Sequence, residues 1–480
     1  MAGPDQQMSY GHFVNGHHLI PSDGERTEVR APVTGELIES VPVGSADQVD
    51  AAVRAARGAL PAWRAAAPAE RARLLRLIGD ALIERADEIA AIESRNAGKP
   101  VADARAEVVA SGDLFHFYSG VAMQRFGQQV PMPDGETVAY TVREPVGVVA
   151  AITPWNYPLV IAAGKVAAAL CVGCTVVVKP APETPLTTIL LARLADEVGL
   201  PAGVLNVVAG DDRTGAALAE HRAVAKITFT GSTAAGRAVA GAAARIGRPV
   251  VMELGGKSPN IVFDDVDIPK VVERVLMAGL VNGGQECCGG ARILVQETIF
   301  DEFCAAAAEW LQGLQVGPVG DRESDINPII SERQRQRVAG LVERALADGA
   351  EVLAVKAAPE QGYFYPPTIL TSVHEDMEIC QTEIFGPVLT IDTFTDEDDA
   401  IAKGNNTDYG LAAGVWTTDI GRALKCANGL EAGRMWVNSY LSETPSAPFG
   451  GMKDSGYGSE IGVEGALEFT ATKAVYLQGL

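Results

Sequence analysis

The 480-residue sequence is short of histidine, of basic residues and of long uninterrupted apolar runs, and each shortage removes a class of function. Its six histidines are scattered, and no pair falls at a metal-ligand spacing beside Cys or acidic partners, so no catalytic zinc is expected. Lys and Arg number 39 against 61 Asp and Glu, a formal net charge of −22. No local Lys/Arg cluster offsets that charge, which disfavours both a phosphate backbone and an anionic membrane surface as partners. The first thirty residues mix His, Gly, Asp and Arg without the apolar core of a secretory signal. The longest apolar stretch, Pro158 to Val178, is interrupted by Lys165 and loosened by several glycines. A buried helix followed by a buried strand explains it better than a membrane span. Seven cysteines (Cys171, Cys174, Cys287, Cys288, Cys304, Cys380 and Cys426) are an odd number in a large chain, so reduced thiols in a cytoplasm are the expectation.

What is present is a soluble composition, 47% hydrophobic and 21% charged, on a chain long enough for two large domains. Ser45 with Gln48 makes a capping-box pattern before the Ala-rich run Val49 to Arg57. Leu74, Leu75, Ile78 and Leu82 stand at helical spacing and predict a second helix over about Ala69 to Arg85. From Val146 to Glu253 short β-branched runs (VGVVAAI, TVVVKP, VLNVV, AKITFTG, PVVME) alternate with helical ones such as Thr187 to Val198. That alternation predicts βαβ units and a parallel, doubly wound sheet. Ligands bind such sheets at the carboxyl ends of the strands, where Pro154, Lys179, Gly231 and Glu253 stand. A second stretch of helices and strands runs from Ile268 to about Asn438, with no internal repeat or low-complexity linker. Two polar, strand-like segments, Gln128 to Arg143 and Thr470 to Leu480, lie outside it and are able to pair within or between subunits.

Four turns combine glycine or proline with groups able to do acyl chemistry. In PWNYP, Pro154 to Pro158, Asn156 is either a turn residue or a side-chain amide donating to a developing oxyanion. FTGSTAAG, Phe229 to Gly236, leads from a strand into a helix whose first amides favour a phosphate, although G-x-G-x-x-G itself is absent; a plain strand-to-helix turn reads equally well. In MELGGKSP, Met252 to Pro259, Glu253 ends an apolar strand and is either a general base of raised pKa or a charge paired with Lys257 or another cation. NGGQECCGG, Asn282 to Gly290, sets two cysteines between glycine pairs. Either they are buried structural residues or one is a nucleophile, whose catalysis requires a local depression of the thiol pKa from about 8.5. Cys171 and Cys174 also form a C-x-x-C, but inside the apolar helix-to-strand passage, where buried small residues are expected and not a redox pair.

The order PWNYP, TVVVKP, FTGSTAAG, MELGGKSP, GQECC, EIFGPV and PFGGMKDSGYG resembles the aldehyde dehydrogenase superfamily from about Tyr10 to Leu477. The resemblance implies a doubly wound parallel-sheet cofactor domain (residues 1–125 and 146–255), a second α/β domain carrying the cysteine nucleophile (256–455), and a small β oligomerisation ribbon (126–145 and 466–480). It implies Cys287 as nucleophile with Cys288 its variable neighbour, Glu253 as general base and Asn156 as oxyanion donor. Lys165 and Glu460 match a pair that relays protons from the base. Lys179 matches the lysine on the adenine ribose, and Gly231, Ser232 and Gly236 match the pyrophosphate turn. Glu383 and Phe385 match the residues at the nicotinamide ribose and ring, with Ile152, Trp155, Pro182 and Leu254 completing the cofactor site. The implied reaction is oxidation of a small aldehyde to its acid, through a thioester on Cys287, by a homodimer or homotetramer. The alternatives are a CoA-acylating relative, against which Glu253 argues, and a dehydrogenase-like binding protein, which would be expected to lose Cys287, Glu253 or Asn156.

The sequence departs from the pattern at three places. Many NAD-preferring relatives carry a glutamate three residues beyond the lysine, where this chain has Pro182 followed by Glu183; NAD is expected to be favoured and NADP tolerated. Gly164 replaces a bulky tryptophan of the substrate tunnel, so a wider tunnel is expected, still lined by Tyr157, Val160 and Ile161. Glu286, beside the nucleophile, adds a negative charge that should repel aldehydes with anionic tails. Neutral aldehydes are then favoured and amino or trimethylammonio aldehydes allowed. An aromatic cage for a quaternary amine is not evident, because Trp155 and Tyr440 are too few rings.

Overall fold

A computed structural model describes residues 10–124, 126–317 and 324–478. Residues 1–9 and 125 of the expected cofactor domain, 318–323 of the second domain, and 479–480 at the end of the expected C-terminal strand lie outside the described residues.

The chain begins with β1 (His12–Val14) and β2 (His17–Leu19), then an antiparallel pair, β3 (Arg26–Arg30) and β4 (Leu37–Pro42). Helix α1 (Ala46–Ala65) starts as the capping box predicts: Gln48 N donates to Ser45 Oγ at 3.3 Å, and Ser45 N donates to Gln48 Oε1 at 2.8 Å. It runs past Arg57 and through Pro61, the opposite of what an interior proline favours, and its last turn buries Trp63. Helix α2 (Pro68–Glu84) buries Leu74, Leu75, Ile78 and Leu82, the stripe read from their spacing. Helices α3 (Ala86–Ala97) and α4 (Val101–Val121) follow, then β5 (Gln129–Val130) and β6 (Val138–Pro145).

The alternating segment is β7 (Val148–Ile152), α5 (Pro158–Cys171), β8 (Thr175–Lys179), α6 (Leu186–Glu197), β9 (Leu205–Val207), α7 (Asp212–Ala219), β10 (Lys226–Thr230), α8 (Thr233–Arg245) and β11 (Val250–Glu253). These five strands are parallel in the order β9-β8-β7-β10-β11, with β1 added antiparallel beside β9. Every residue of β7 and β8 is buried, as strands covered by helices on both faces must be. The apolar stretch from Pro158 is thus a buried helix and a buried strand. Because strand order reverses beside β7, the carboxyl ends of β7 and β10 flank a crevice, the place where open α/β sheets take ligands.

A second sheet is built from β12 (Pro259–Val262), helix α9 (Ile268–Leu280), β13 (Arg292–Gln296), helices α10 (Phe300–Gly313) and α11 (Glu332–Ala347), β14 (Glu351–Val355), β15 (Thr368–Thr371) and β16 (Val388–Phe394). After β17 (Tyr409–Gly410) come β18 (Ala412–Trp416) and β19 (Arg434–Val437). The sheet order is β14-β15-β16-β13-β12-β18-β19, parallel except at β14. The chain then crosses back: β20 (Met452–Lys453) pairs β17, and β21 (Gly456–Tyr457) adds antiparallel to β11 of the first sheet. Finally β22 (Thr470–Leu477) pairs β6 over eight residues, from Thr470 opposite Pro145 to Leu477 opposite Val138. With β5 beyond β6, the two polar segments form one three-stranded antiparallel sheet within the chain. Among the described residues no helix is long and apolar enough to cross a membrane.

Candidate active site

The turn after β7 and the cysteine loop are joined directly. Asn156, 4% exposed, donates from Nδ2 to the Gln285 carbonyl at 3.0 Å, and its own carbonyl accepts from Asn282 Nδ2 at 3.1 Å. The loop is tightly wound, with Asn282, Gly283 and Gly284 all at positive φ (53°, 64° and 71°). A side chain at Gly284 would run into the Gly386 carbonyl, so glycine is required there and the loop packs against EIFGPV. Gln285 pins it: Nε2 donates to the Asn282 and Pro328 carbonyls at 2.9 and 3.2 Å, and Oε1 accepts from Ile330 N at 2.8 Å. Gln285 stands inside the motif GQECC, yet nothing in its residue type marks it as the pin.

Cys287 is half-buried and Cys288 buried; all seven cysteines are free thiols. The Cys287 thiol donates to Glu286 Oε1 at 3.4 Å, and the same oxygen accepts from Cys288 N at 3.2 Å. The surroundings push the Cys287 thiol well above its ordinary pKa, through the hydrogen bond with Cys288, burial, and the carboxylates of Glu286 and Glu383. This reverses the depression expected from the glycine turn. The neighbouring thiol and burial weigh most, and Glu286 within the turn and Glu383 from outside it add to them. Cys171 and Cys174 lie in the core, where burial pushes Cys174 up to about 11 and Cys171 higher still.

Glu253 ends β11 with 2% exposure, and neither of its carboxylate oxygens has a hydrogen-bond partner. Burial, then the nearby Glu460, push it well above the usual carboxylate range, while Lys165 and Arg434 oppose them. It is not paired with Lys257, whose buried ammonium also lacks a partner, so the paired-charge alternative fails. Lys165 from α5 and Glu460 meet as an ion pair. Lys165 Nζ also donates to Thr228 Oγ1 at 2.8 Å, and Glu460 Oε1 accepts from Thr228 and Thr230 at 3.2 and 3.3 Å. Gly456 of β21, at φ +129°, lies so close to Met252 and Glu253 that any side chain there would strike the Met252 carbonyl.

On the other side of the crevice Ser232 caps α8, accepting from Ala235 N at 3.3 Å, while Gly231 N donates to the Glu253 carbonyl at 3.0 Å. Gly236 packs on Leu254 with no space for a Cβ. Lys179, at the end of β8, is 5% exposed; burial lowers its pKa, against the acids of Asp212, Glu183 and Asp211 around it. Ile152 is buried, and beside it Thr153 Oγ1 is buried without a hydrogen-bond partner. Pro182 is half-buried in the turn that follows β8. Trp155 and Phe385 stack edge to face, centroids 5.1 Å apart at 83°, so the turn after β7 meets EIFGPV. Glu383 Oε1 accepts from Gly256 N at 3.0 Å, and burial pushes its carboxyl up to about 7. Phe385, at φ +57°, is held through carbonyls: Gln334 Nε2 donates to Phe385 O at 3.0 Å, and Arg337 donates to Ile384 O and Glu383 O at 2.6 and 2.7 Å. These two α11 residues escaped the sequence reading, because their task is to hold backbone. A helix N-terminus, a buried lysine and a buried hydroxyl without a hydrogen-bond partner around one crevice fit an anionic dinucleotide.

Helix α5 carries two further features. Its first amides, Leu159 N and Val160 N, donate to Glu107 Oε1 of α4 at 3.1 and 3.2 Å. Glu107 is ion-paired with Lys99, both nearly inaccessible, and the Lys99 ammonium sits 3.9 Å from the Tyr157 ring centroid. Along α5, Tyr157, Val160, Ile161 and Gly164 are half-buried while most other positions are buried. Their spacing makes one stripe more accessible than the rest of the helix, and a Cβ on Gly164 would meet only Leu114 at 3.7 Å.

The sequence profile of the aldehyde dehydrogenase family matches residues 19–475. An aldehyde dehydrogenase of Emericella nidulans is 41% identical over 474 residues, covering 98% of this chain and 95% of its own length. The structure is similar to that of an aldehyde dehydrogenase from Bacillus cereus in complex with NAD+ (TM-score 0.96, 36% identity, 100% and 99% of the two chains). It is also similar to a betaine aldehyde dehydrogenase from Staphylococcus aureus in complex with NAD+ (TM-score 0.95, 34% identity, 98% and 94%).

Proposed function

The chain belongs to the aldehyde dehydrogenase family and is an aldehyde-oxidising enzyme, and on that premise we propose that Cys287 carries the acyl group, with NAD as the oxidant. The observation that carries the reading is the pairing of a half-buried thiol with the Asn156 turn at one end of the crevice and the unpartnered carboxylate of Glu253 at the strand end beside it.

Cys287 attacks the aldehyde carbon, and the oxyanion is met by the Cys287 backbone N–H and the Asn156 amide, whose Nδ2 has a second N–H beyond the one given to Gln285. NAD, when bound, accepts the hydride from the substrate carbon. Lys179 holds its adenine ribose, Gly231, Ser232 and Gly236 its pyrophosphate, and Glu383 and Phe385 its nicotinamide end, with Ile152, Trp155, Pro182 and Leu254 as walls. Glu253 then takes a proton from the water that hydrolyses the thioester, and a carboxylate with no competing partner and a raised pKa suits that task. The Lys165–Glu460 pair carries the proton onward. A water-activating base argues against CoA as acyl acceptor, and the intact set argues against a non-catalytic protein.

NAD is favoured over NADP because Asp212, Glu183 and Asp211 surround Lys179, but no acid stands at Pro182, so NADP is tolerated. The preference in kcat/KM is expected to stay within about a thousandfold, ~4 kcal/mol. Glu286 excludes anionic tails, and the accessible stripe at Gly164 admits bulky neutral aldehydes. Seven free thiols suit a reducing cytoplasm, and the three-stranded sheet suits a homodimer or homotetramer.

The test is NADH formation across short aliphatic, aromatic, amino and carboxylated aldehydes. Cys287→Ala should abolish it and Cys288→Ala should leave most of it. The reverse pattern would show the wrong cysteine has been chosen, and efficient turnover of a carboxylated aldehyde would overturn the tail exclusion.

A further inference from the structure

We propose that Glu286 is the proton acceptor for the Cys287 thiol during attack on the aldehyde, leaving Glu253 to the hydrolytic water; this rests on the reading of Cys287 as nucleophile. The thiol donates to Glu286 Oε1 at 3.4 Å, whereas the Glu253 carboxylate has no hydrogen-bond partner among the described residues. Glu286 is aimed by its neighbours: the same oxygen accepts from Cys288 N at 3.2 Å, and the Tyr157 hydroxyl lies against the carboxylate from α5. Tyr157 is itself steadied by the Lys99 ammonium over its ring. Glu286 forms no ion pair among the described residues, so its oxygens are not committed to a cation.

The surroundings explain why a neighbouring acceptor is needed. Glu286, Glu383 and Cys288 all disfavour a thiolate at Cys287, and none of the largest influences on it is a Lys or Arg. A fully formed thiolate before attack is therefore costly. Transfer in step with attack avoids it: as the Sγ–C bond forms, the S–H bond breaks toward Glu286 Oε1, and the carbonyl π pair moves onto oxygen. Glu286, now a carboxylic acid, holds that proton through hydride loss and hydrolysis. When the tetrahedral intermediate of hydrolysis collapses, the C–S bond breaks and the departing sulfur takes the proton back. The water's proton goes separately to Glu253, so the two acids work on different half-reactions.

Pre-steady-state NADH bursts separate these halves, because hydride leaves before the thioester is hydrolysed. Glu286→Gln should slow the burst by about a hundredfold, within the range general base catalysis supplies. Glu253→Gln should keep a burst and lose steady-state turnover. At a pH high enough to ionise the thiol without a base, iodoacetamide alkylation of Cys287 should be as fast in Glu286→Gln as in the wild type, since no proton acceptor is then needed. A wild-type burst rate in Glu286→Gln overturns the proposal, as does a burst lost equally in Glu253→Gln. A slowed burst with alkylation also lost would assign Glu286 to holding the loop and overturn it too. Absence of NADH formation by the wild-type enzyme with every aldehyde would instead overturn the underlying reading.

Discussion

Glu253 and Glu460 are two acids near one buried ammonium, and after burial their mutual repulsion is the next influence on how the base titrates. Glu460 raises the pKa of Glu253, and Lys165, paired with Glu460, lowers it. A group that must be ionised to act, and whose pKa is raised, gains activity as pH rises through that pKa. Glu460→Gln removes the repelling charge and frees the Lys165 ammonium from its partner, and both effects lower the pKa of Glu253. The ascending limb of the kcat–pH profile should therefore move to lower pH, by about one unit for each ~1.4 kcal/mol of repulsion removed. A limb that stays in place or moves upward would show that Glu253 is not the titrating base. At this scale Asn156, Lys179 and Glu253 were legible, since an open sheet takes its ligands at the carboxyl ends of its strands. The sign of the Cys287 shift was not. It depends first on the hydrogen bond with Cys288 and on burial, then on Glu286 and on Glu383, nearly a hundred residues along the chain.

The elements that set the site are α5 and the cysteine loop, and α5 is anchored from outside itself. No side chain of its own N-cap residue, Tyr157, caps it; Glu107 of α4 does so instead, accepting from Leu159 N and Val160 N. With the Lys99–Glu107 pair 3% and 2% exposed, removing the acid leaves an unpaired buried ammonium and two unsatisfied amides. Glu107→Ala should cost about 3–5 kcal/mol, read from the urea midpoint. Glu107→Gln, whose carbonyl oxygen can still accept from both amides, should cost less and retain more activity. Equal losses would mean the ion pair matters and the cap does not. The sequence predicted α5 and β8 from one apolar run. It carried no sign of the cap, because Lys99 in the α3–α4 connection and Glu107 on α4 look like ordinary surface residues until tertiary packing buries them. The same limit hid the antiparallel strands β2 and β1 at one end of the first sheet and β21 at the other: two- and three-residue strands leave no periodicity to read.

At the scale of the whole molecule, one small sheet stands apart from the two large ones. The strands β5, β6 and β22 form a three-stranded layer in which β22 is an edge, its far side unpaired among the described residues. Val138, Tyr476 and Leu477 are 50%, 64% and 53% exposed, large apolar side chains in a protein of net charge −22 that otherwise has every reason to repel a second copy. A long edge strand with exposed apolar residues is a surface that proteins cover, and we expect a second chain of the same kind to cover this one. Light scattering should give two or four times 50.3 kDa for the wild type. Tyr476→Asp combined with Leu477→Asp should shift it toward the monomer without moving the thermal transition of the crevice domains by more than a few degrees. Because like charge opposes association, added salt should strengthen the wild-type assembly and not dissolve it. A monomeric wild type, or an assembly indifferent to both aspartates, would mean that the edge is protected in some other way.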